Sequence, residues 1–184
     1  MVVESHCRGS QSEKENPQQE RKIEMSPTSE LQDYHYRGAR AMILMHERAM
    51  HEFLATWRRA KAANVALPET EDPDYASLET LLFHVIRSAR NYMVWICDKL
   101  ELPDPRIDPP PPPEHVEERA EAYIKHLLGR WRLPLVGIDE ETLSRPSFKS
   151  RWDMDYSIDS MIEHALVHPA RHSFQLEELM GARS

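Results

Sequence analysis

Three histidines, His164, His168 and His172, stand four residues apart near the end of the chain, in the run SIDSMIEHALVHPARHSFQLEELM from Ser157 to Met180. If that run is a helix, residues four apart lie one turn above each other on one face. Two imidazoles so placed can grip one metal ion, and their neutral nitrogens suit Zn, Ni, Fe or Co. A third ligand must come from elsewhere, and His84, alone in an apolar run of helical period, is the candidate. Three protein ligands leave a position for water or substrate. An ion held that way lowers the pKa of bound water or of a thiol and polarises a carbonyl. The bland alternative is coincidence, since ten histidines in a charged helical chain will sometimes fall four apart.

Spacing disposes of two other patterns. His46 and His51 bracket Glu47 in a stretch resembling the zinc-protease pair. A separation of five, however, turns the second ring by roughly 140° from the first on a helix. His46 is therefore read as a core or site-lining residue and not as a ligand. A di-iron carboxylate bundle needs Glu-x-x-His on two helices, and the chain has no such sequence. Cys7 and Cys97 make no metal, redox or disulfide pattern.

The elements that must position the histidines follow from hydrophobic period. Residues 1–29 are polar, Gln/Glu/Ser-rich and aperiodic, which predicts a disordered tail ahead of one domain over 30–184. A first helix is predicted from Leu31 to Ala63, with Met42, Met45, Ala49, Phe53, Trp57 and Ala60 as its apolar stripe. Pro68 and Pro73 break the loop over 64–76. A second helix runs from Ser77, as N-cap, to about Leu100, and places His84 roughly 120° from the centre of its buried face.

Residues 103–113 then hold seven of the fourteen prolines. In polyproline geometry eleven residues reach about 34 Å, close to the roughly 36 Å of a 24-residue helix. This connection can therefore run the length of a bundle and return a third helix, Pro113 to Trp131, parallel to the second. The connection from Leu133 to Tyr156 is longer than usual. Its Phe148, Trp152 and Tyr156 imply that it packs over the bundle, as a cap on a site or as a plain core lid. In the fourth helix His172 lies roughly 30° from the apolar centre, His168 roughly 70° and His164 roughly 110°. The pair able to point inward together is His168 and His172. Pro169 removes its own amide hydrogen bond to Ala165, and either a kink around the core or a re-aimed His168 would follow.

Composition excludes some partners. A net charge of −8 argues against a nucleic-acid groove or an anionic membrane surface. No apolar run approaches the roughly 18 residues of a membrane span, and no charged-then-apolar leader opens the chain. A cytoplasmic protein acting on a small molecule is the plain expectation.

The run His168-Pro169-Ala170-Arg171-His172-Ser173-Phe174-Gln175 resembles the last-helix HxxxHxxQ signature of the DinB/YfiT-like bacterial proteins. Leu81-Leu82-Phe83-His84 is similar to their helix-two LLxH motif. The resemblance covers about 150 residues, from the first helix to the C-terminus, judged by the count and order of predicted elements. It implies an all-α four-helix bundle of up-down-down-up order, a divalent metal on His84, His168 and His172, and a homodimer. Characterised members of that family include S-transferases and isomerases that use a low-molecular-weight thiol such as bacillithiol or mycothiol as cosubstrate. The expectation is a metal-dependent enzyme that activates water or such a thiol for hydrolysis or S-transfer to a small electrophile. Gln175 would line its site, as would His46 and Tyr34 by helix phase. The rival is a non-catalytic helical scaffold whose metal is structural or absent. The proline-rich crossover, Pro169 and the long third connection depart from the family pattern.

Overall fold

A computed structural model describes residues 34–181. The predicted tail over 1–29 lies outside the described residues. The elements are α1 (Arg37–Ala62), a single 3₁₀ turn (Pro73–Tyr75), α2 (Leu78–Lys99), α3 (Pro113–Trp131), α4 (Glu140–Ser144), β1 (Phe148–Lys149), β2 (Asp155–Tyr156) and α5 (Ile158–Gly181). The fold is all-α, apart from a two-residue antiparallel ladder pairing Phe148 with Tyr156 and Lys149 with Asp155.

The first helix begins at Arg37, later than its periodicity predicts. Tyr34 and His35 are instead held by the segment after α3: the Tyr34 hydroxyl donates to the Arg132 carbonyl at 2.7 Å, and the His35 amide donates to the Val136 carbonyl at 3.0 Å. The buried stripe also differs. Ala39, Ile43, His46, Met50, Phe53, Trp57 and Ala60 are all 0–1 % exposed and follow alternating steps of four and three, whereas Met45 is 53 % exposed. That alternation keeps one seam facing its neighbours, and Met45 falls off it.

Helix ends are set by local chemistry. At the end of α1, Asn64 takes a left-handed φ of 50°, while Val65 N–H bonds the Ala60 carbonyl and Asn64 N–H the Lys61 carbonyl. This is the Schellman arrangement. The same pair of bonds closes α2, from Leu102 to Cys97 and from Glu101 to Asp98, with Glu101 at φ 53°. Ser77 and Thr80 cap the start of α2 reciprocally. Pro113 occupies the first turn of α3, where its missing N–H costs nothing.

Side chains from different helices meet at defined heights. Arg58 pairs with Glu121 at 2.8 Å, Glu47 pairs with Arg132, and the rings of His46 and Trp131 stack at 4.0 Å. Arg59 pairs with Glu177 at 2.8 Å, and the Phe53 ring approaches His172. Lys61 binds both Glu79 and Glu117. Trp57 and Trp131, the bulkiest fully buried side chains, each donate their indole N–H to an α2 carbonyl, Leu78 at 2.6 Å and Ala89 at 3.1 Å. Each buried Leu, Ile or Phe adds about 1.5–3 kcal/mol, so the core outweighs these polar links.

The proline-rich strap is not helical, and it is fastened from both sides. Arg90 Nε donates to the Ile107 carbonyl, Tyr123 donates to the Asp108 carbonyl, and Asp108 N–H donates to His126 Nε2. The third connection holds more than its sequence predicts. Besides α4 and the hairpin, it buries Leu135 and Leu143 and sets Phe148 edge-on to Trp95 at 6.2 Å.

Candidate metal centre

α2 packs against both α3 and α5, and His84 Nε2 lies 3.0 Å from Nε2 of His168 on α5. The flank position of His84 therefore faces α5, not water, and its side chain is 19 % exposed. His168 and His172 are 4 % and 0 % exposed, whereas His164, one turn earlier, is only half-buried. This is the order their helical phase predicts. One ligand atom from each of His84, His168 and His172 lies within 4.8 Å of the others. The ring centroids are 4.7–5.4 Å apart.

Hydrogen bonds fix which nitrogen faces the centre. His84 Nδ1 is 2.7 Å from Asp74 Oδ2, and Asp74 also accepts two bonds from Arg87 at 2.8 and 3.0 Å. An ionised carboxylate only accepts, so Nδ1 of His84 carries the proton and Nε2 offers a lone pair inward. His172 Nδ1 lies 2.9 Å from the side-chain oxygen of Gln175, which likewise leaves Nε2 of His172 bare. That atom is buried and has no hydrogen-bond partner, and neither has Nδ1 of His168. Nε2 of His168 faces Nε2 of His84 at 3.0 Å. Two nitrogens on one tetrahedral zinc at 2.0–2.1 Å would stand about 3.3 Å apart. The donor set, the buried bare nitrogen and the carboxylate behind His84 all fit a divalent metal.

Burial keeps the rings of His168 and His172 neutral. Burial, then the neighbouring His172 and His84, push His168 down to about 2. Burial and His84 push His172 down to about 4, although the Gln175 bond opposes this. Neutral imidazole is the form that binds metal. Aromatic rings close the surroundings: Tyr75 is 5.8 Å from His172, Tyr92 is 5.8 Å from His168 and Phe53 is 6.5 Å from His172. Burial raises Tyr92 to about 12, so its phenol keeps its proton.

Of the residues expected to line the site, Gln175 is at the triad. His46 is on α1 two turns before Phe53, about 10 Å along the axis, and stacks on Trp131. Tyr34 is occupied by the Arg132 carbonyl. Sequence reasoning missed Asp74, Arg87, Tyr75 and Tyr92. Asp74 lies in the acidic loop PETEDPDYA, where nothing distinguishes it from its neighbours. The available signal was Pro73, which suits the first position of a turn and so sets Asp74 in rigid backbone.

Two cavities flank the centre along the α2–α5 cleft. One, of about 380 Å³, lies past Gln175 and is mostly apolar, with Asp72 and Glu178 on its wall. The other, of about 120 Å³, lies beneath the hairpin. No described helix is long and apolar enough to cross a membrane. Comparison of the chain with protein-family models, curated proteins and solved structures gave no match.

Proposed function

We propose that the chain is a metal-dependent enzyme of the DinB/YfiT-like kind. His84, His168 and His172 would hold one divalent ion, Zn, Ni, Fe or Co. When bound, that ion supplies the Lewis acidity that activates water or a low-molecular-weight thiol toward a small electrophile. The observation that carries the reading is the convergence of three imidazoles whose outer nitrogens are tied back, at His84 and His172, so that bare nitrogens point inward.

The order of side-chain pairings supports a four-helix bundle of up-down-down-up order. Lys61, at the end of α1, meets the starts of α2 and α3, while Glu47, nearer its start, meets Arg132 just after α3. Phe53 and Arg59 meet His172 and Glu177 in matching sequence order. Helices α2 and α3 would then run together against α1 and α5.

The chain's own residues have separable tasks. Asp74 and Gln175 fix the tautomers of His84 and His172, and Arg87 holds the carboxylate of Asp74 in place. Tyr75, Tyr92 and Phe53 restrict water around the rings, which strengthens every charge interaction inside.

The test is elemental analysis of protein purified without an affinity tag, followed by a thiol-transfer and hydrolysis screen. The double variant His168→Ala/His172→Ala should lose stoichiometric metal and keep its helical circular dichroism. Metal retained at full stoichiometry would sink the assignment. The near-complete burial of His168 and His172 also favours a second reading, an enclosed structural ion. Cobalt-substituted protein separates the two. Added thiol shifts the visible spectrum of an open centre and leaves that of a closed one unchanged.

A further inference from the structure

The buried histidines of α5 face α2, and the opposite side of that helix carries an apolar row. Val167 and Phe174, a heptad apart, are 55 % and 60 % exposed, and the exposed Ala170 stands between them. On an ideal wheel the three point roughly 135–175° away from the centre of the helix's buried set. Met45 of α1 is 53 % exposed and lies on the flank that carries Arg59, which reaches Glu177 of α5 at 2.8 Å. One exposed apolar side chain is ordinary, whereas a row along one helix, with Met45 on the adjoining flank, marks a contact surface.

Charges around this row are left over in a pattern. Arg48 and Glu52 stand on the exposed side of α1, and Glu163 on that of α5. Among the described residues none of the three has an ion-pair partner. Phe53 stands by His172 and Arg59 by Glu177, so residues 118–119 numbers apart are level and the two helices run in one direction. The middle of α1, near residue 50, is then level to within about 3 Å with the middle of α5, near residue 170. Arg48 and Glu52 lie evenly about the first point, Val167 and Phe174 about the second.

A two-fold axis at that level lays each helix antiparallel on its own copy. Such an interface is isologous, so every contact occurs twice. Arg48 meets Glu52 of the second copy, Val167 meets Phe174, and Ala170, at the axis, lets the helices come close. Arg59 arrives level with Glu163, which gains the cation it lacks. The exposed stretches, 41–59 of α1 and 163–178 of α5, offer roughly 500 Å² per copy at about 10 Å of helix width. Both copies together reach about 1,000 Å², the least that a specific interface needs. An unrelated helix has no reason to match charges balanced about one level, and Glu163 and Glu177 repel an anionic membrane.

We propose that the outer face of α1 and α5 joins two copies of this chain, each helix antiparallel to its counterpart about an axis near Ala170. The cleft of His84 lies on the α2 side of α5, so neither histidine triad is covered and the dimer does not depend on a metal.

Sedimentation velocity on the full chain, across about 1–200 µM, tests this surface. The expected result is a monomer–dimer equilibrium with no larger species. Phe174→Glu and Ala170→Arg, both at exposed positions, should keep the helical circular dichroism and leave the chain monomeric at the highest concentration. Arg48→Glu should weaken the dimer about 2- to 30-fold, the worth of two exposed ion pairs. Glu52→Arg should do the same, and the double exchange Arg48→Glu/Glu52→Arg should restore the affinity. A pair that merely steadied α1 would move the melting temperature and not the dissociation constant. A chain that stays monomeric throughout overturns the proposal. So does a dimer indifferent to Phe174→Glu and Ala170→Arg, or a mass that keeps growing with concentration, the mark of a head-to-tail contact. An unchanged dissociation constant in Arg48→Glu overturns the antiparallel arrangement.

Discussion

Asp74→Ala removes the acceptor that sets the tautomer of His84 while leaving all three imidazoles in place. Its carboxylate accepts a bond from the His84 Nδ1–H at 2.7 Å and two from Arg87. Loss of such an outer partner costs about 10- to 100-fold in metal affinity, or about 1.4–2.7 kcal/mol. Without metal the same substitution should cost little. The Asp74–Arg87 pair is partly open to solvent, with the Arg87 side chain 40 % exposed, and pairs of that kind contribute about 0–1 kcal/mol. The two effects therefore separate. Zinc competition against a chromophoric chelator should show the 10- to 100-fold loss. Thermal unfolding should show zinc-dependent stabilisation reduced by about 3–10 °C, taking about 2–4 °C per kcal/mol for a domain of this size. A zinc affinity equal to that of the unsubstituted protein would refute the role assigned to Asp74. So would a metal-free melting temperature that falls as far as the zinc-bound one.

Other outcomes follow from single features. His46 is fully enclosed, and burial pushes it down to about 3 from an ordinary 6.5. The unfolded chain therefore gains a proton below pH 6.5 that the folded chain refuses until about pH 3. Stability contributed by the neutral ring is intact above pH 6.5 and falls by about 1.4 kcal/mol per pH unit below it. His46→Leu should make the urea-midpoint profile shallower between pH 6.5 and 4, leaving the share that the buried His168 and His172 contribute, and an unchanged slope would show that the ring is not held neutral. Glu101 adopts a left-handed φ of 53° at the end of α2. Glu101→Gly should raise unfolding free energy by about 0.5–1 kcal/mol, since the αL penalty exceeds the entropy glycine adds to the unfolded chain. Urea denaturation reads this directly, and a loss of stability would show that the conformation is not strained.

Much of this architecture could be read from the residues, and the misses have physical causes. The third helix spans the predicted Pro113 to Trp131 because proline at its first turn and a clean apolar period agree. Ser77 marks the start of α2 through a cap that acts on its own backbone. The start of α1 was misplaced because Tyr34 and His35 answer to distant carbonyls at Arg132 and Val136, which outweigh local period. His168 and His172 were legible because four-residue spacing on a helix is geometry. Asp74 and Arg87 were not, since a loop carboxylate reaches His84 only through the tertiary path of the chain. The hairpin and α4 were hidden in a segment whose pattern is set by packing on Trp95 and the core.

The fastening of the strap over 103–113 makes that segment something other than an exchangeable linker. Its carbonyls at Ile107 and Asp108 are the places where Arg90 and Tyr123 discharge their polar ends, and its Ile107 side chain fills part of the interior. A glycine–serine substitute of equal contour length would keep the helices joined but lose the buried Ile107 side chain and the proline stiffness that holds those two carbonyls in place. Loop grafting and chain-opening designs therefore belong in the acidic loop before Pro73 only if Asp74 keeps its place, and not in the proline segment at all.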